Sequence, residues 1–100
     1  MPAYVIANYD VVNQEDYYTY LPAVSELLNK HGGEVLVADF GAKQLEGEKR
    51  GVNVVLKFDS EEAALGWYND SAYEPVRKIR LEATTNGYMA LAKQFVQPGN

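Results

Sequence analysis

Hydrophobic and polar residues alternate along four short stretches of this chain, and each stretch predicts a β-strand. The predicted strands run from Ala3 to Val11, from Glu34 to Phe40, from Val52 to Phe58 and from Tyr88 to Val96. Alternation places successive side chains on opposite faces of a sheet, so each strand can bury one face in a core. An Asn86-Gly87 pair before the last strand predicts a turn.

A helical pattern follows the first strand. Apolar residues recur at helical spacing from Tyr17 to His31, as expected for a helix with one buried face. Asn13, followed by Asp16, predicts the N-cap, and Gly32 suits the left-handed position at which helices end. Pro22 interrupts the pattern, so the segment is either a kinked helix or a short turn followed by a second helix.

Two further helices are predicted between the third and fourth strands. Asp59 or Ser60 caps the first of them. Ser71 followed by Glu74 is typical of a capping box and predicts the start of the second, which continues to about Ala83. The apolar stripe of the first of these helices consists of Ala63, Ala64, Trp67 and Tyr68.

The order of the elements is strand, helix, strand, strand, helix pair and strand. This order fits an α+β fold of ferredoxin-like, split βαβ topology, with a four-stranded antiparallel sheet and the helices on one face. Apolar residues on the other face predict a partner sheet from an identical subunit, and hence a homodimer. We expect one domain over residues 1–97 and a loose tail over residues 98–100. The second face carries Val55 with either Tyr88, Ala90 and Ala92 or Met89, Leu91 and Phe95.

Composition and charge exclude several classes of function. The chain has 100 residues and a net charge of −5 at pH 7, so phosphate backbones repel it and no nucleic-acid partner is expected. The basic cluster Arg77-Lys78-Arg80 is typical of a solvated helix face. No apolar run approaches the roughly 18 residues of a membrane span, and the first residues lack the pattern of a signal peptide. By elimination, we expect a cytoplasmic protein without a membrane partner.

Residues that commonly bind metals and cofactors are scarce. The chain has no cysteine and one histidine, His31, which excludes thiolate catalysis and cysteine-ligated metals. No spacing of Asp and Glu imitates a carboxylate metal site, so we expect neither a metal nor another cofactor. His31 ends a predicted helix, where the helix dipole favours a cation. We therefore prefer a structural role for His31 to that of a general base.

Several short motifs occur in an order that resembles one family. They are Met1-Pro2-Ala3-Tyr4, Tyr17 and Tyr20, His31-Gly32-Gly33, Leu45-Glu46-Gly47, Trp67-Tyr68, and Ser71, Tyr73 and Arg80. Over nearly the whole chain this order resembles the family catalogued as domain of unknown function thirteen-thirty, within the dimeric α/β-barrel superfamily. The resemblance implies the fold and a homodimer, but no established reaction. The superfamily includes cofactor-free monooxygenases, haem-degrading enzymes and lactone isomerases, so membership does not choose among functions.

Aromatic residues and arginines that can share a helical face form a candidate site. Arg77 lies four residues after Tyr73, and Arg80 lies three residues after Arg77. Aromatic walls with a guanidinium suit a planar organic anion, because stacking supplies affinity and the bidentate guanidinium fixes orientation. We predict a ligand pocket between the sheet and the helices that includes Tyr20, Glu46, Trp67, Tyr68, Tyr73, Arg77 and Arg80.

Three functions stay open at this point, and no catalytic residue is identified. The first is binding of a small planar acidic or aromatic molecule. The second is a cofactor-free reaction of the monooxygenase or isomerase type, and the third is a non-catalytic dimer module. The aromatic residues also suit an ordinary core, with Arg80 paired to a carboxylate such as that of Glu46. Since a buried guanidinium without a carboxylate is costly, an internal pair is the favoured expectation.

Overall fold

The computed structural model describes residues 1–99, so Asn100, the end of the predicted tail, lies outside the described residues. The elements are β1 (Ala3–Val11), α1 (Gln14–Lys30), β2 (Glu34–Asp39), β3 (Val52–Phe58), α2 (Glu61–Tyr68), α3 (Tyr73–Ala83) and β4 (Thr84–Lys93). The strands form one antiparallel sheet in the order β2-β3-β1-β4. The predicted α+β, ferredoxin-like fold is therefore confirmed. Within residues 1–99, none of the helices combines the length and the apolar character needed to cross a membrane.

β1 lies inside the sheet, paired with β3 on one side and β4 on the other. Its alternating sequence sorts residues between the two faces. The inward set packs under the helices as part of the hydrophobic core, and the outward set is half-buried. The inward residues include Val5, Ala7 and Tyr9, and the outward residues include Tyr4, Ile6 and Asn8.

α1 is a single helix that continues through Pro22. Of the two possibilities left by the sequence, a second helix starting at Pro22 is therefore wrong. The predicted N-cap is confirmed, because the side chain of Asn13 accepts a hydrogen bond of 3.1 Å from the backbone N–H of Asp16. Gly32 has a φ of 72°, which is the left-handed conformation expected at the end of the helix.

The predicted capping box at Ser71 and Glu74 is wrong. The side chain of Asp70 accepts a hydrogen bond of 2.9 Å from the backbone N–H of Ala72, and α3 begins at the next residue without a side-chain N-cap. Asp70 replaces the serine because its carboxylate, one residue earlier, reaches the exposed amides of this turn. Ser71 is exposed.

Asp70 also joins the end of α1 to the turn between α2 and α3. One carboxylate oxygen lies 2.8 Å from Nε2 of His31 and 2.9 Å from Nζ of Lys30. The hydrogen bonds from His31, from the Ala72 amide and from Lys30 hold the pKa of the Asp70 carboxyl well below its usual range. His31 therefore has the structural role expected for it at the C-cap of α1.

The last strand spans residues 84–93 rather than 88–96, and the predicted Asn86-Gly87 turn is wrong. Asn86 has a φ of 56° and lies inside β4, where the pairing with β1 shifts between Asn8 and Asp10. This irregularity is a β-bulge. An asparagine tolerates positive φ in a bulge as well as in a turn, so the local sequence does not distinguish the two.

α3 leads into β4 without a connecting loop, because Ala83 ends the helix and Thr84 begins the strand. The hydroxyl of Thr84 donates a hydrogen bond of 2.7 Å to the carbonyl of Arg80. The carbonyl of Ala83 accepts hydrogen bonds of 2.8 Å from the amide of Val12 and 3.1 Å from that of Asn13. The end of α3 is thus fastened to the start of α1.

The register of the sheet decides which residues of β4 lie on the face away from the helices. Val55 and Ala90 both pair with Ile6, so these three residues form a row across the outer face. We call this surface the outer face; it also carries Tyr4, Asn8, Asn53, Lys57, Tyr88 and Ala92. Of the two sets predicted from the sequence, the one with Tyr88, Ala90 and Ala92 is therefore correct, and no helix within residues 1–99 covers it.

The bulge in β4 depends on the absence of a side chain at Gly87. A Cβ atom there would lie 2.7 Å from Cβ of Tyr9 and 3.1 Å from the carbonyl oxygen of Asn8. Because both neighbours are held in β1, Gly87→Ala should lower the free energy of unfolding by about 1–3 kcal/mol in urea denaturation. Gly41→Ala is the matched control, since a Cβ there meets nothing within 4 Å, and its effect should stay within about 0.5 kcal/mol. Equal midpoints for the two variants would contradict this geometry.

Candidate functional site

A cavity of about 90 Å³ lies between α1 and the sheet. At roughly 30 Å³ per water this volume equals that of about three waters, so a molecule the size of benzoate requires the outer side of the cavity to move outward. The sheet forms one wall and α1 the opposite wall, and exposed residues of β2 with Phe40 form the outer side. Its apolar lining includes Val5, Ala7, Val54 and Leu56 from the sheet and Leu21, Val24 and Leu28 from α1.

The polar part of the cavity wall consists of three tyrosines and Ser25, whose hydroxyl donates a hydrogen bond to the carbonyl of Leu21. Tyr9 and Tyr17 form a hydrogen bond with 2.8 Å between their hydroxyl oxygens. The hydroxyl of Tyr20 forms a bond of 2.9 Å with that of Tyr73, the first residue of α3. All four tyrosine side chains are buried, so the interior contains two adjacent pairs of phenols.

The secondary structure brings these tyrosines together. Tyr9 follows Val5 and Ala7 in the inward set of β1, so the strand alternation directs it under the helices. Tyr17 and Tyr20 are three residues apart on α1 and therefore lie on the same face of the helix. Their rings stack with 5.8 Å between centroids.

Burial keeps the phenols of Tyr9, Tyr17 and Tyr20 neutral. Desolvation raises the pKa of Tyr9 and of Tyr20 far above the usual value for tyrosine, and it also raises the pKa of Tyr17. These hydroxyls therefore keep their protons at physiological pH. They can donate hydrogen bonds, but they supply no negative charge to a neighbouring cation.

Arg80 is the buried charged residue of the core, with 6% of its surface exposed. Its guanidinium carbon lies 5.8 Å from the centre of the Tyr9 ring. Both ion pairs within residues 1–99 involve Asp70 instead, and Nε of Arg80 is enclosed without a hydrogen-bond partner. Glu46 is exposed on the loop between β2 and β3. The expected internal pair of Arg80 with Glu46 is therefore not formed.

Around Arg80, there are more buried hydrogen-bond donors than acceptors available to them. In each phenol pair one hydroxyl donates to the other, which leaves one O–H per pair without an acceptor among the bonds formed within residues 1–99. The N–H at Nε of Arg80 adds a third free donor. Free buried donors together with an uncompensated positive charge favour an anion with several lone pairs.

The remaining aromatic residues pack around Trp67 and contact the phenol pairs through Tyr73. Trp67 lies between Phe58, at 5.7 Å between ring centroids, and Tyr73, at 4.6 Å. Arg77 lies 4.9 Å above the ring of Tyr68 and donates a hydrogen bond of 3.1 Å to the Tyr68 carbonyl. Arg77 also lies 5.7 Å from the centre of the Tyr73 ring, whereas Arg80 lies over Tyr9, so the two arginines of α3 stack on different rings on either side of the Tyr73 side chain.

The predicted site residues fall into three groups. Tyr20 and Trp67 line the cavity, and Tyr73 and Arg80 lie in the polar cluster beside it. Tyr68, at the end of α2, packs against Arg77 of α3. Glu46 is exposed on the loop between β2 and β3. Sequence reasoning left Tyr9 and Tyr17 out of the site. The signal for Tyr9 was its inward place in the β1 alternation, and that for Tyr17 was its spacing of three from Tyr20.

Comparison with known families matches residues 2–94 to a model described as "Domain of unknown function (DUF1330)". Among curated proteins, no significant match to this sequence was found.

Solved structures of similar fold include a protein of unknown function from Rhodopseudomonas palustris. It is 16% identical, with a TM-score of 0.81, over 96% of this chain and 84% of the other. A dimeric ferredoxin-like protein of unknown function from Jannaschia sp. CCS1 is 10% identical, with a TM-score of 0.74, over 96% and 100% of the two chains. SnoaB, a cofactor-independent oxygenase from Streptomyces nogalater, is 10% identical, with a TM-score of 0.64, over 99% and 98%. At these identities the likeness concerns the fold alone.

The unpaired state of Arg80 has a measurable consequence for stability. Arg80→Met should leave the urea midpoint unchanged or raise it, because the variant removes a buried charge and an unpaired donor while keeping a long, flexible side chain. Arg77→Met is the matched control on the same helix. It loses a hydrogen bond and a cation–π contact and should lower the free energy of unfolding by about 1 kcal/mol. A loss of about 3–5 kcal/mol in Arg80→Met would instead indicate a buried ion pair.

Proposed function

This chain belongs to the DUF1330 family, and we propose that it is a homodimeric protein that binds a small organic acid. The carboxylate of the acid is held by Arg80 and the neighbouring tyrosine hydroxyls. The apolar body of the acid lies in the cavity between α1 and the sheet. The observation that carries this proposal is the buried guanidinium of Arg80, which has no carboxylate within ion-pair distance and an unpaired Nε.

The charge balance of the cluster supports an anionic ligand. A buried cation is costly unless an opposite charge or several hydrogen-bond acceptors compensate it. The tyrosines near Arg80 are neutral and already paired with one another. A carboxylate supplies two oxygens and about four lone-pair sites, which satisfies the guanidinium and both free hydroxyls together. Since Nε is enclosed, the acid reaches it by displacing one of the tyrosine hydroxyls.

The cavity favours a carboxylate with an apolar body over a phosphate. Most of its lining is aliphatic or aromatic, and Arg80 is the cation beside it. A planar carboxylate matches a single guanidinium in bidentate geometry. A phosphate carries up to two negative charges and would leave one of them uncompensated in an apolar interior. The net charge of −5 adds a general repulsion that grows with the charge of the ligand.

The outer face supports the homodimer. Ile6, Val55 and Ala90 form an apolar row across it, without a covering helix in residues 1–99. Oδ1 of Asn8, beside this row, is enclosed and has no hydrogen-bond partner. A second copy packed against this face would cover the row and bring donors toward the asparagine. Contact by the same face of both copies gives a closed two-fold dimer.

The exposed area supports the same assembly. The subunit exposes 6500 Å², whereas a compact monomer of this mass would expose about 5,700 Å². The difference of about 800 Å² equals the area that each partner buries in an interface of standard size. The subunit is also flat, with extents of 48 × 35 × 16 Å, as expected of one half of a layered dimer.

Calorimetric titration with benzoate and phenylacetate tests the ligand. Wild-type protein should bind at least one of these acids. Arg80→Met should bind it about 10- to 100-fold more weakly, which corresponds to losing one hydrogen-bonded charge contact. Arg77→Met is the control and should keep wild-type affinity, because the Arg77 guanidinium lies over the Tyr68 ring and donates a hydrogen bond to the Tyr68 carbonyl. Absence of binding in the wild type, or equal affinity in the Arg80 variant, would refute the proposed function.

Light scattering of Val55→Glu tests the dimer. The wild type should have twice the subunit mass of 11.2 kDa. Val55→Glu should be monomeric at micromolar concentration, because each subunit would bury a glutamate without a partner in the proposed interface. Leu81→Glu places the same change on α3, at a leucine that is 57% exposed, and should stay dimeric. A monomeric wild type would refute the proposed homodimer but would leave the proposed binding of an organic acid untouched.

A further inference from the structure

The indole of Trp67 contains a further unpaired donor. Trp67 is fully buried, and its Nε1 has no hydrogen-bond partner within residues 1–99. The ring lies among Phe58, Tyr68 and Tyr73, with centroid distances of 5.7, 6.0 and 4.6 Å. This packing holds the indole in place, so the ring cannot turn to find an acceptor elsewhere.

Trp67 also lies where two cavities meet. One is the cavity between α1 and the sheet, and the other is a cavity of about 240 Å³ between α2 and β4. Val5, Trp67 and Met89 line both of them. Met89 has a flexible, unbranched side chain, which can move to admit an oxygen atom beside the indole.

We propose that Nε1 of Trp67 is a second anchor, which donates a hydrogen bond to a neutral oxygen of the acid bound at Arg80. This inference rests on the proposed function and narrows its ligand class. The ligand is an aromatic acid that carries a hydroxyl, ether or carbonyl oxygen at the end opposite its carboxylate. The oxygen is neutral because an indole N–H offers one donor and no charge, and a second anionic group would be uncompensated among these aromatic residues.

The length expected of the ligand follows from the residue that lies between the two anchors. Tyr73 lies between them, because its ring is 4.6 Å from that of Trp67 and its hydroxyl is 2.9 Å from that of Tyr20 in the polar cluster. A molecule that follows the side chain of Tyr73 therefore spans about one ring between its two polar ends. A benzoate with an oxygen in the para position has this shape.

The inference can be tested with two matched ligands, 4-hydroxybenzoate and 4-methylbenzoate. They have nearly the same shape, but only 4-hydroxybenzoate carries the second oxygen. By calorimetry, the wild type should bind 4-hydroxybenzoate about 3- to 10-fold more tightly, which is the range expected for one hydrogen bond. Trp67→Phe should remove this preference, so that the variant binds the two acids with equal affinity.

Nuclear magnetic resonance gives a second measurement that needs no variant. Trp67 is the one tryptophan of the chain, so a ¹⁵N-labelled sample has a single indole N–H signal. 4-Hydroxybenzoate should move its proton downfield, and 4-methylbenzoate should not. Equal affinities for both acids with no downfield shift would overturn the inference while leaving the proposed function intact, and water in the cavity would then be the partner of the indole. If neither acid binds, the proposed function fails and this inference fails with it.

Discussion

The register of β1 determines which side chains of this protein become interior and which remain available to a partner. Because β1 pairs with β3 and β4, moving it by one residue would exchange its two faces relative to both neighbours. In the observed register, Tyr9 lies beneath the helices next to Arg80, and the adjacent Asn8 lies on the outer face. The interior polar cluster and the outer face therefore depend on the same strand hydrogen bonds.

In the interior polar cluster, neutral tyrosine hydroxyls take the place that a carboxylate usually has beside a buried arginine. A hydroxyl can either donate or accept, so the two phenol pairs can reverse their hydrogen bonds when the surroundings of Arg80 change. A fixed carboxylate would compensate the guanidinium permanently and would repel an incoming acid. In the proposed function, the cluster gives up some stability of the free protein in exchange for a cation that the acid can bind.

Periodicity and capping chemistry predict most of the fold, because they act over a few residues. The alternation of β1, the helical spacing of α1 and the cap at Asn13 could all be read locally. The errors lie where distant parts of the chain decide. Asn86 adopts positive φ in a bulge set by pairing with β1, and Asp70 caps a turn while it is bound to Lys30 and His31. Likewise, Tyr9 meets Arg80 only through the folded sheet, so the sequence favoured a carboxylate near Arg80 that the fold does not bring there.

α3 continues directly into β4, so no flexible loop separates the helix from the strand. Arg80 lies in the last turn of the helix, its carbonyl accepts a hydrogen bond from Thr84, and the strand that follows forms one edge of the sheet. A loop at this point would allow the helix to move slightly without moving the strand. A helix that continues directly into a strand transmits such movements to it. A displacement of the Arg80 backbone therefore also moves β4, which contributes residues to the outer face. The polar cluster and the outer face are mechanically coupled through this junction.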